Sequence, residues 1–327
     1  MKKIALFILM VFVGFTTILA TGCKNENIIR INEVTHSIFY APLYVAINNG
    51  YFEEYGYEIE LTNGGGSDAS MTALISGSAD IALCGPETGV YVNAGGKQNA
   101  PMIFGQITKK DGSFLVGKIN EPNFSWANLA GKHVIAGRKG GSPAMSLQYA
   151  IEKNGLDIEN DLNFDLSVAF NMTVGAFTGG TADYVTVFEP TASDLVREGK
   201  GYIVASVGQE SGEIPFTCFM ANSNYISKNQ TKLENFLKAI KKAYTFIMTS
   251  DIDAVVDSLR PSFNTSSDAS IKASIESYKS IDAWCSSPVM TEASYNRLLD
   301  MLDNAGELTT RVEYSKVVNN TIANKIV

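Results

Sequence analysis

Residues 28–50 read IIRINEVTHSIFYAPLYVAINNG, a strand-like run followed by a helix-like run that stops at a glycine. The first part, Ile28–Val34, is rich in isoleucine and valine, which favour the extended backbone of a β-strand. In Tyr40–Asn49 the apolar side chains recur at the spacing of one helical face, and Gly50 supplies a typical helix end. This stretch therefore predicts one strand–helix unit.

The strand–helix pattern repeats along the chain. After the first unit, strands are predicted at Tyr57–Thr62, Ala79–Cys84 and Met102–Ile107, with helices from Ser67 and from Pro86. A second, similar series begins near Trp126, with strands predicted at Lys132–Gly137, Phe164–Val168, Tyr184–Phe188 and Tyr202–Val207. Alternating strands and helices are typical of a mostly parallel sheet with helices on both faces. Two such series in 327 residues predict an α/β protein of two lobes.

Two extended stretches, Ser113–Lys118 and Phe216–Ala221, flank the second series and are interpreted as crossovers between the lobes. Beyond them the chain is almost wholly helical, with an apolar stripe in Lys232–Thr249 and a last helix predicted at Tyr314–Ala323. We therefore expect the following division of the chain: lobe one is residues 28–112 and 216–327, and lobe two is residues 113–215.

The amino-terminal segment is typical of a targeting signal. Two lysines precede an apolar run, Ile4–Phe15, which is shorter than the about 20 residues of a membrane-spanning helix. Small residues then lead to Cys23, an ending that resembles a bacterial lipobox. We expect residues 1–22 to be a lipoprotein signal peptide, Cys23 to be lipidated, and residues 23–27 to be a lipid tether on the outer face of the bacterial cytoplasmic membrane. The alternative is an ordinary secretory signal followed by an unrelated cysteine.

Composition and motif content exclude several classes of function. The 26 Lys and Arg residues are outnumbered by 34 Asp and Glu residues, and no dense basic block exists, so we expect no nucleic-acid partner. The chain has only two histidines, no HExxH motif and no Cys/His cluster, so no metal site is predicted. It also lacks the G-x-S-x-G, G-x-x-x-x-G-K-[ST] and G-x-G-x-x-G motifs, so no catalytic residue and no cofactor is predicted.

Polar residues cluster where predicted strands end, which is where ligands bind in open α/β sheets. The candidate ligand-binding residues are His36, Ser37, Tyr40, Gly65, Ser67, Glu87, Thr88, Asp111, Arg138, Gly141, Ser142 and Glu189. Simpler roles exist for several of them: the hydroxyls could cap helices, and the glutamates could complement helix dipoles. As a set from two lobes, these residues predict a small-molecule site in the cleft between them.

Several runs of the sequence also carry a family resemblance. They are Thr35–Ala46, Asn49–Tyr57, Ser76–Ala82, Asn128–Lys132, Gly180–Tyr184 and Phe188–Pro190. Together they resemble the nitrate/sulfonate/taurine-type solute-binding proteins of ABC importers, a group that includes binders of thiamine-pyrimidine precursors. The resemblance covers roughly residues 28–250. It implies a periplasmic-binding-protein type II fold, a monomer that closes on a small-molecule solute and delivers it to an ABC permease with its ATPase.

The residues leave two classes of solute open. A nitrogenous or heteroaromatic solute needs carboxylate acceptors, for which Glu87, Asp111 and Glu189 are candidates, and the number of acids favours this class. A sulfonate, taurine or nitrate-like anion instead needs donors such as Arg138 and the glycine loops. By the resemblance to pyrimidine binders, the acid after Phe188 is expected to set specificity, so Glu189 is the predicted acceptor in lobe two, assisted by Glu87.

Two other classes of function are alternatives to import. A pyrimidine-precursor synthase is an enzyme of similar fold, but this chain has a signal peptide and lacks the cysteine-rich iron motif that such enzymes carry. A lipoprotein sensor or adhesin could use the same fold. The sequence favours a non-enzymatic importer component over both.

Overall fold

The computed structural model describes residues 27–326, so the predicted signal peptide and Cys23 lie outside the described residues. The strands are β1 (Ile28–Glu33), β2 (Glu58–Asn63), β3 (Ile81–Cys84), β4 (Pro101–Thr108), β5 (Ser113–Gly117), β6 (His133–Ile135), β7 (Asn163–Asp165), β8 (Tyr184–Phe188), β9 (Tyr202–Ser206) and β10 (Thr217–Asn222). The α-helices are α1 (Ala41–Asn48), α2 (Ser67–Ser76), α3 (Pro86–Ala94), α4 (Ser142–Lys153), α5 (Thr173–Gly179), α6 (Thr191–Arg197), α7 (Val207–Ser211), α8 (Ser223–Lys228), α9 (Gln230–Thr249), α10 (Ile252–Leu259), α11 (Asp268–Ser280), α12 (Glu292–Asn304) and α13 (Tyr314–Val317). None of these helices is long and apolar enough to cross a membrane.

The strands form two five-stranded sheets, in the orders β2-β1-β3-β10-β4 and β7-β6-β8-β5-β9. In the first sheet β1 is parallel to β2 and β3, and in the second β6 is parallel to β7 and β8. One strand in each sheet, β10 in the first and β5 in the second, runs antiparallel to both of its neighbours. The predicted α/β class with mostly parallel sheets is confirmed.

The two stretches interpreted as crossovers are the antiparallel strands β5 and β10, so that interpretation is wrong. Both strands are uncharged, largely apolar and buried, which suits a position inside a sheet. The segments that connect the sheets are residues 109–112 and 212–216. They lie side by side, because the Ile214 N–H donates to the Lys109 carbonyl at 2.9 Å.

The carboxyl-terminal helices pack on the first sheet. The apolar stripe predicted in α9 is buried, and the Phe236 ring lies 5.2 Å from that of Phe52 and 4.9 Å from that of Phe219. The prediction of a helix through Ala323 is wrong, because α13 stops at Val317. Val318 is extended and forms a bridge with Ile103 of β4, an edge strand, so pairing with the sheet replaces the helix.

Candidate functional site

A small cavity of about 40 Å³ lies where the parallel strands of both sheets end. It is lined by Val34, Thr35, Tyr40, Gly66, Ser67, Gly85, Glu87, Ala136, Arg138, Gly141, Ser142, Pro143, Ala144, Phe170, Phe188, Phe216 and Thr217. The predicted residues among them are Tyr40, Ser67, Glu87, Arg138, Gly141 and Ser142. The structure therefore brings together half of the predicted residues, from loops of both sheets.

Three helices begin at the cavity, and each begins directly after a glycine. The N-cap residues of α2, α3 and α4 are Gly66, Gly85 and Gly141, and all three line the cavity. Ser67 and Ser142, which could have been caps, are instead the first residues of their helices. Helix N-termini carry free N–H groups and partial positive charge, so they favour negative groups in the cavity.

Glu87 on α3 is the buried acid of the cavity. Its side chain is almost fully enclosed, and Oε2 accepts a hydrogen bond from Ser142 Oγ at 2.6 Å. Since Ser142 begins α4, this bond spans the cleft between the two sheets. Burial raises the pKa of Glu87, while the bond from Ser142 and the Arg138 charge oppose the rise. A Cβ on Gly85 would lie 2.0 Å from Glu87 Oε2, so a larger residue at Gly85 would displace this carboxylate.

Arg138 lies at the rim of the cavity. Its Nε is 3.5 Å from Oδ1 of Asp68, and its side chain is one third exposed. Asp68 belongs to α2, so this ion pair is a second contact across the cleft. Exposed ion pairs contribute only about 0–1 kcal/mol, so Arg138 can exchange this partner for a solute group at little cost.

Aromatic side chains form the apolar wall of the cavity. The ring of Phe188 lies 5.9 Å from that of Phe170 and 6.2 Å from that of Phe216. Tyr40 is also buried here, and burial raises the pKa of its hydroxyl well above the usual range, so the hydroxyl stays neutral. Phe39 packs against Phe188 at 5.4 Å without lining the cavity. Such a wall suits a planar ring.

Glu189 does not line the cavity. Its carboxylate accepts hydrogen bonds from the N–H and the Oγ of Ser193, each at 2.9 Å, within the first turn of α6. Burial raises the pKa of Glu189, and the two bonds from Ser193 oppose this. The simpler interpretation, an acid that stabilises a helix N-terminus, describes this geometry, so the predicted role of Glu189 as acceptor lacks the required position.

His36 and Ser37 form hydrogen bonds with distant parts of the chain beside the cavity. His36 Nδ1 lies 3.0 Å from Oε1 of the buried Glu33, and its Nε2 lies 2.8 Å from the Ser262 carbonyl. The hydrogen bond to Glu33 raises the pKa of His36, and burial of the ring partly opposes the rise. Ser37 Oγ donates to the Glu189 carbonyl at 2.6 Å and thereby joins the two lobes.

Gly65, Thr88 and Asp111 also lie outside the cavity lining. Gly65 has a left-handed backbone and lies near Asn171 of the second lobe. Thr88 Oγ1 donates to the Gly85 carbonyl at 2.7 Å. Asp111 is completely buried in the segment that joins the sheets, where Oδ1 accepts from the Ser113 N–H at 2.6 Å. These three residues position the chain around the cavity but do not form part of the cavity wall.

Eleven lining residues are not among the predicted binding residues. They are Val34, Thr35, Gly66, Gly85, Ala136, Pro143, Ala144, Phe170, Phe188, Phe216 and Thr217. Val34, Thr35, Gly66, Gly85 and Ala136 follow a strand within three residues, and Phe188 is the last residue of β8, so the rule that pointed to their neighbours also applies to them. Phe216 and Thr217 carried no such signal, because they belong to the stretch that was interpreted as a crossover.

The comparisons with known proteins agree with this architecture. The profile described as "NMT1-like family" matches residues 35–256, which is more than half of the chain. The chain belongs to the NMT1-like family. A relative of this NMT1-like protein is the "Putative binding protein YtlA" of Bacillus subtilis (strain 168), which is 39% identical over 308 residues, 93% of this chain and 92% of that protein.

Solved structures show the same fold. The alkanesulfonate-binding protein SsuA from Xanthomonas axonopodis pv. citri, bound to MOPS, matches with a TM-score of 0.73 at 17% identity, over 90% of this chain and 98% of that chain. The periplasmic nitrate-binding protein NrtA from Synechocystis PCC 6803 matches with a TM-score of 0.75 at 15% identity, over 92% and 88%. The expected periplasmic-binding-protein fold is confirmed.

Proposed function

We propose that this chain is the extracytoplasmic solute-binding component of an ABC importer. Its two lobes, residues 28–112 with 216–327 and residues 113–215, close on a small solute and deliver it to the permease and its ATPase. The observation that carries the proposal is the cavity between the sheets, where Glu87 of one lobe meets Ser142 of the other. Membership of the NMT1-like family and a relative named as a binding protein support it.

The solute class is inferred from the enclosed carboxyl group. Burial disfavours the charged form of Glu87, so a partner with N–H donors or a positive charge gains energy by pairing with it. A sulfonate or nitrate group would bring a second negative charge to the same enclosed space. The wall of Phe170, Phe188, Phe216 and Tyr40 accepts a planar ring. We therefore propose a nitrogenous or heteroaromatic solute whose N–H edge binds Glu87.

A second candidate solute is a small anion. The N-termini of α2, α3 and α4 converge on the cavity, and Arg138 stands at its rim. This arrangement favours an anion if Glu87 is protonated, because the neutral carboxyl then donates a hydrogen bond instead of repelling charge. The two candidates therefore differ in the protonation state that Glu87 has in the complex.

The cellular arrangement follows from the amino terminus. We propose that Cys23 carries the lipid, that residues 24–27 tether the folded body to the outer face of the cytoplasmic membrane, and that the protein acts as a monomer. A soluble form that begins at Lys24 then contains the complete binding site.

The test is binding to the soluble form by titration calorimetry. The nitrogenous probes are benzamidine and 4-aminopyrimidine, and the anionic probes are MOPS and nitrate. With the nitrogenous solute, Glu87→Gln should lower the affinity by roughly 10- to 150-fold, the range for a hydrogen bond to a charged group. The matched control is Glu189→Gln, which alters a buried glutamate outside the cavity and should leave affinity unchanged.

The opposite pattern supports the anion. In that case MOPS or nitrate binds more tightly than the nitrogenous probes, and Glu87→Gln preserves or improves binding. Small molecules that co-purify with the protein, identified by mass spectrometry, give an independent answer. Conversion of the bound molecule during incubation would support the enzyme alternative and contradict a binding protein.

A further inference from the structure

The loop Gly137–Gly141 lies between β6 and α4, beside the cavity. It carries Arg138 and Gly141 to the cavity and leads directly into Ser142. Gly137 and Gly140 have φ angles of 94° and 70°, in the region that favours glycine. The position of this loop therefore sets the positions of the cavity residues that the second lobe supplies.

Residues of the first lobe hold the middle of this loop. The Tyr91 hydroxyl, on α3, donates to the Gly140 carbonyl at 3.0 Å. A Cβ on Gly140 would lie 3.2 Å from Oε2 of Glu307 and 3.6 Å from the Tyr91 hydroxyl oxygen, so Gly140 fits closely between these two side chains. Lys139 Nζ lies 3.8 Å from Oε1 of Glu307. Glu307 follows α12, in the carboxyl-terminal part of the chain.

Neither Tyr91 nor Glu307 lines the cavity, so neither contacts a solute there. Glu307 also lies beyond residues 35–256, the part that matches the family profile. The contacts at Gly140 therefore lie outside the cavity lining, and one of them comes from the carboxyl-terminal part of the chain. Their common effect is to fix the loop of one lobe on the surface of the other.

We propose that Tyr91 and Glu307 form a latch that holds the loop 137–141 against the first lobe. They are positioning residues for Arg138 and Ser142, and they set how fast a bound solute is released. This inference rests on the proposed closing of two lobes around a solute. It adds a role for the carboxyl-terminal part of the chain, which supplies half of the latch.

The two halves of the latch contribute unequally. The Tyr91 bond is a well-formed hydrogen bond between a partly buried hydroxyl and a carbonyl, and its loss should open the loop about 2- to 10-fold more often. The ion pair of Lys139 with Glu307 is longer, and the Lys139 side chain is 74% exposed, so it contributes less. Glu307 also packs closely against Gly140, and this contact is the second way in which Glu307 holds the loop.

The experiment uses Tyr91→Phe, which removes only the hydroxyl, and Glu307→Gln, which keeps the shape of the acid. Amide hydrogen exchange is measured by mass spectrometry on peptides that cover residues 137–142. We expect exchange there to be about 2- to 10-fold faster in Tyr91→Phe, with a melting temperature lowered by at most a few degrees. For whichever probe binds the wild type, benzamidine or MOPS, the dissociation rate should rise by a similar factor while the association rate stays the same.

The controls are Tyr149→Phe, on an exposed ring of α4, and Glu292→Gln, on an exposed acid at the start of α12. Neither should change exchange at residues 137–142. The latch is refuted if Tyr91→Phe leaves this exchange unchanged, or if it speeds exchange equally in the strands of the first sheet. If no probe binds any form but the local exchange still rises in Tyr91→Phe, the latch stands and the proposed function fails.

Discussion

Replacement of Asp111 by asparagine should remove a pH-dependent loss of stability. The Asp111 side chain is fully buried in the segment that joins the two sheets, and no hydrogen-bond partner of its Oδ2 is present among residues 27–326. Burial raises the pKa of this carboxyl from 3.8 to about 7, and the bonds from Ser113 and the Ser146 side chain only partly oppose the rise. The charged form is therefore costly in the folded protein.

The magnitude follows from the difference between these two pKa values. Between pH 3.8 and about 7 the folded protein holds a proton that the unfolded chain has released, so stability falls as the pH rises. At about 1.4 kcal/mol per pKa unit the full loss is about 4 kcal/mol, and roughly 2.5 kcal/mol of it falls between pH 5 and pH 8. An asparagine side chain cannot ionise, so Asp111→Asn should escape this loss.

The assay is urea unfolding of the soluble form at pH 5 and pH 8. The free energy of unfolding of the wild type, minus that of Asp111→Asn, should decrease by roughly 2.5 kcal/mol between the two pH values. The control is Asp165→Asn, since hydrogen bonds from Ser167 lower the pKa of Asp165 and its loss should destabilise the protein at pH 8. Parallel pH profiles for the wild type and Asp111→Asn would refute the reasoning.

Three further predictions concern other parts of the chain. The bond to Glu33 raises the pKa of His36. The stabilisation that the protonated imidazole gives the folded protein is therefore complete below about pH 6.5 and is lost as the pH rises through the folded-state pKa. His36→Gln should lower the urea midpoint at pH 6 but much less at pH 9. A Cβ on Gly208 would lie 1.9 Å from the Asp111 carbonyl oxygen, so Gly208→Ala should cost about 1–3 kcal/mol of unfolding free energy. Gly175→Ala, in a helix with open space, should instead be neutral or stabilising, and equal effects would contradict the steric argument. Cys23→Ala should release the full-length protein from membranes in cell fractionation, and persistent membrane association would exclude lipidation as the anchor.

The sequence by itself determined most of the secondary structure and the general position of the site. The strand Tyr184–Phe188 has the predicted bounds and the apolar stripe of Lys232–Thr249 lies within α9, because apolar periodicity is a local property. The rule that ligands bind beyond parallel strand ends then selected loops that do meet at the cavity. Both kinds of inference need only short segments of chain.

Tertiary structure decided which of two similar acids faces the cavity. Glu87 and Glu189 each lie next to a proline, at the junction of a strand and a helix, so their local sequences do not separate them. Glu189 bonds Ser193, four residues away, whereas Glu87 bonds Ser142, 55 residues away in the other lobe. Tertiary structure also decided the position of Thr217. Its strand, β10, belongs to the first sheet although it follows all strands of the second sheet in the sequence. Partners this distant in sequence are set by the packing of the two lobes, which local patterns do not encode.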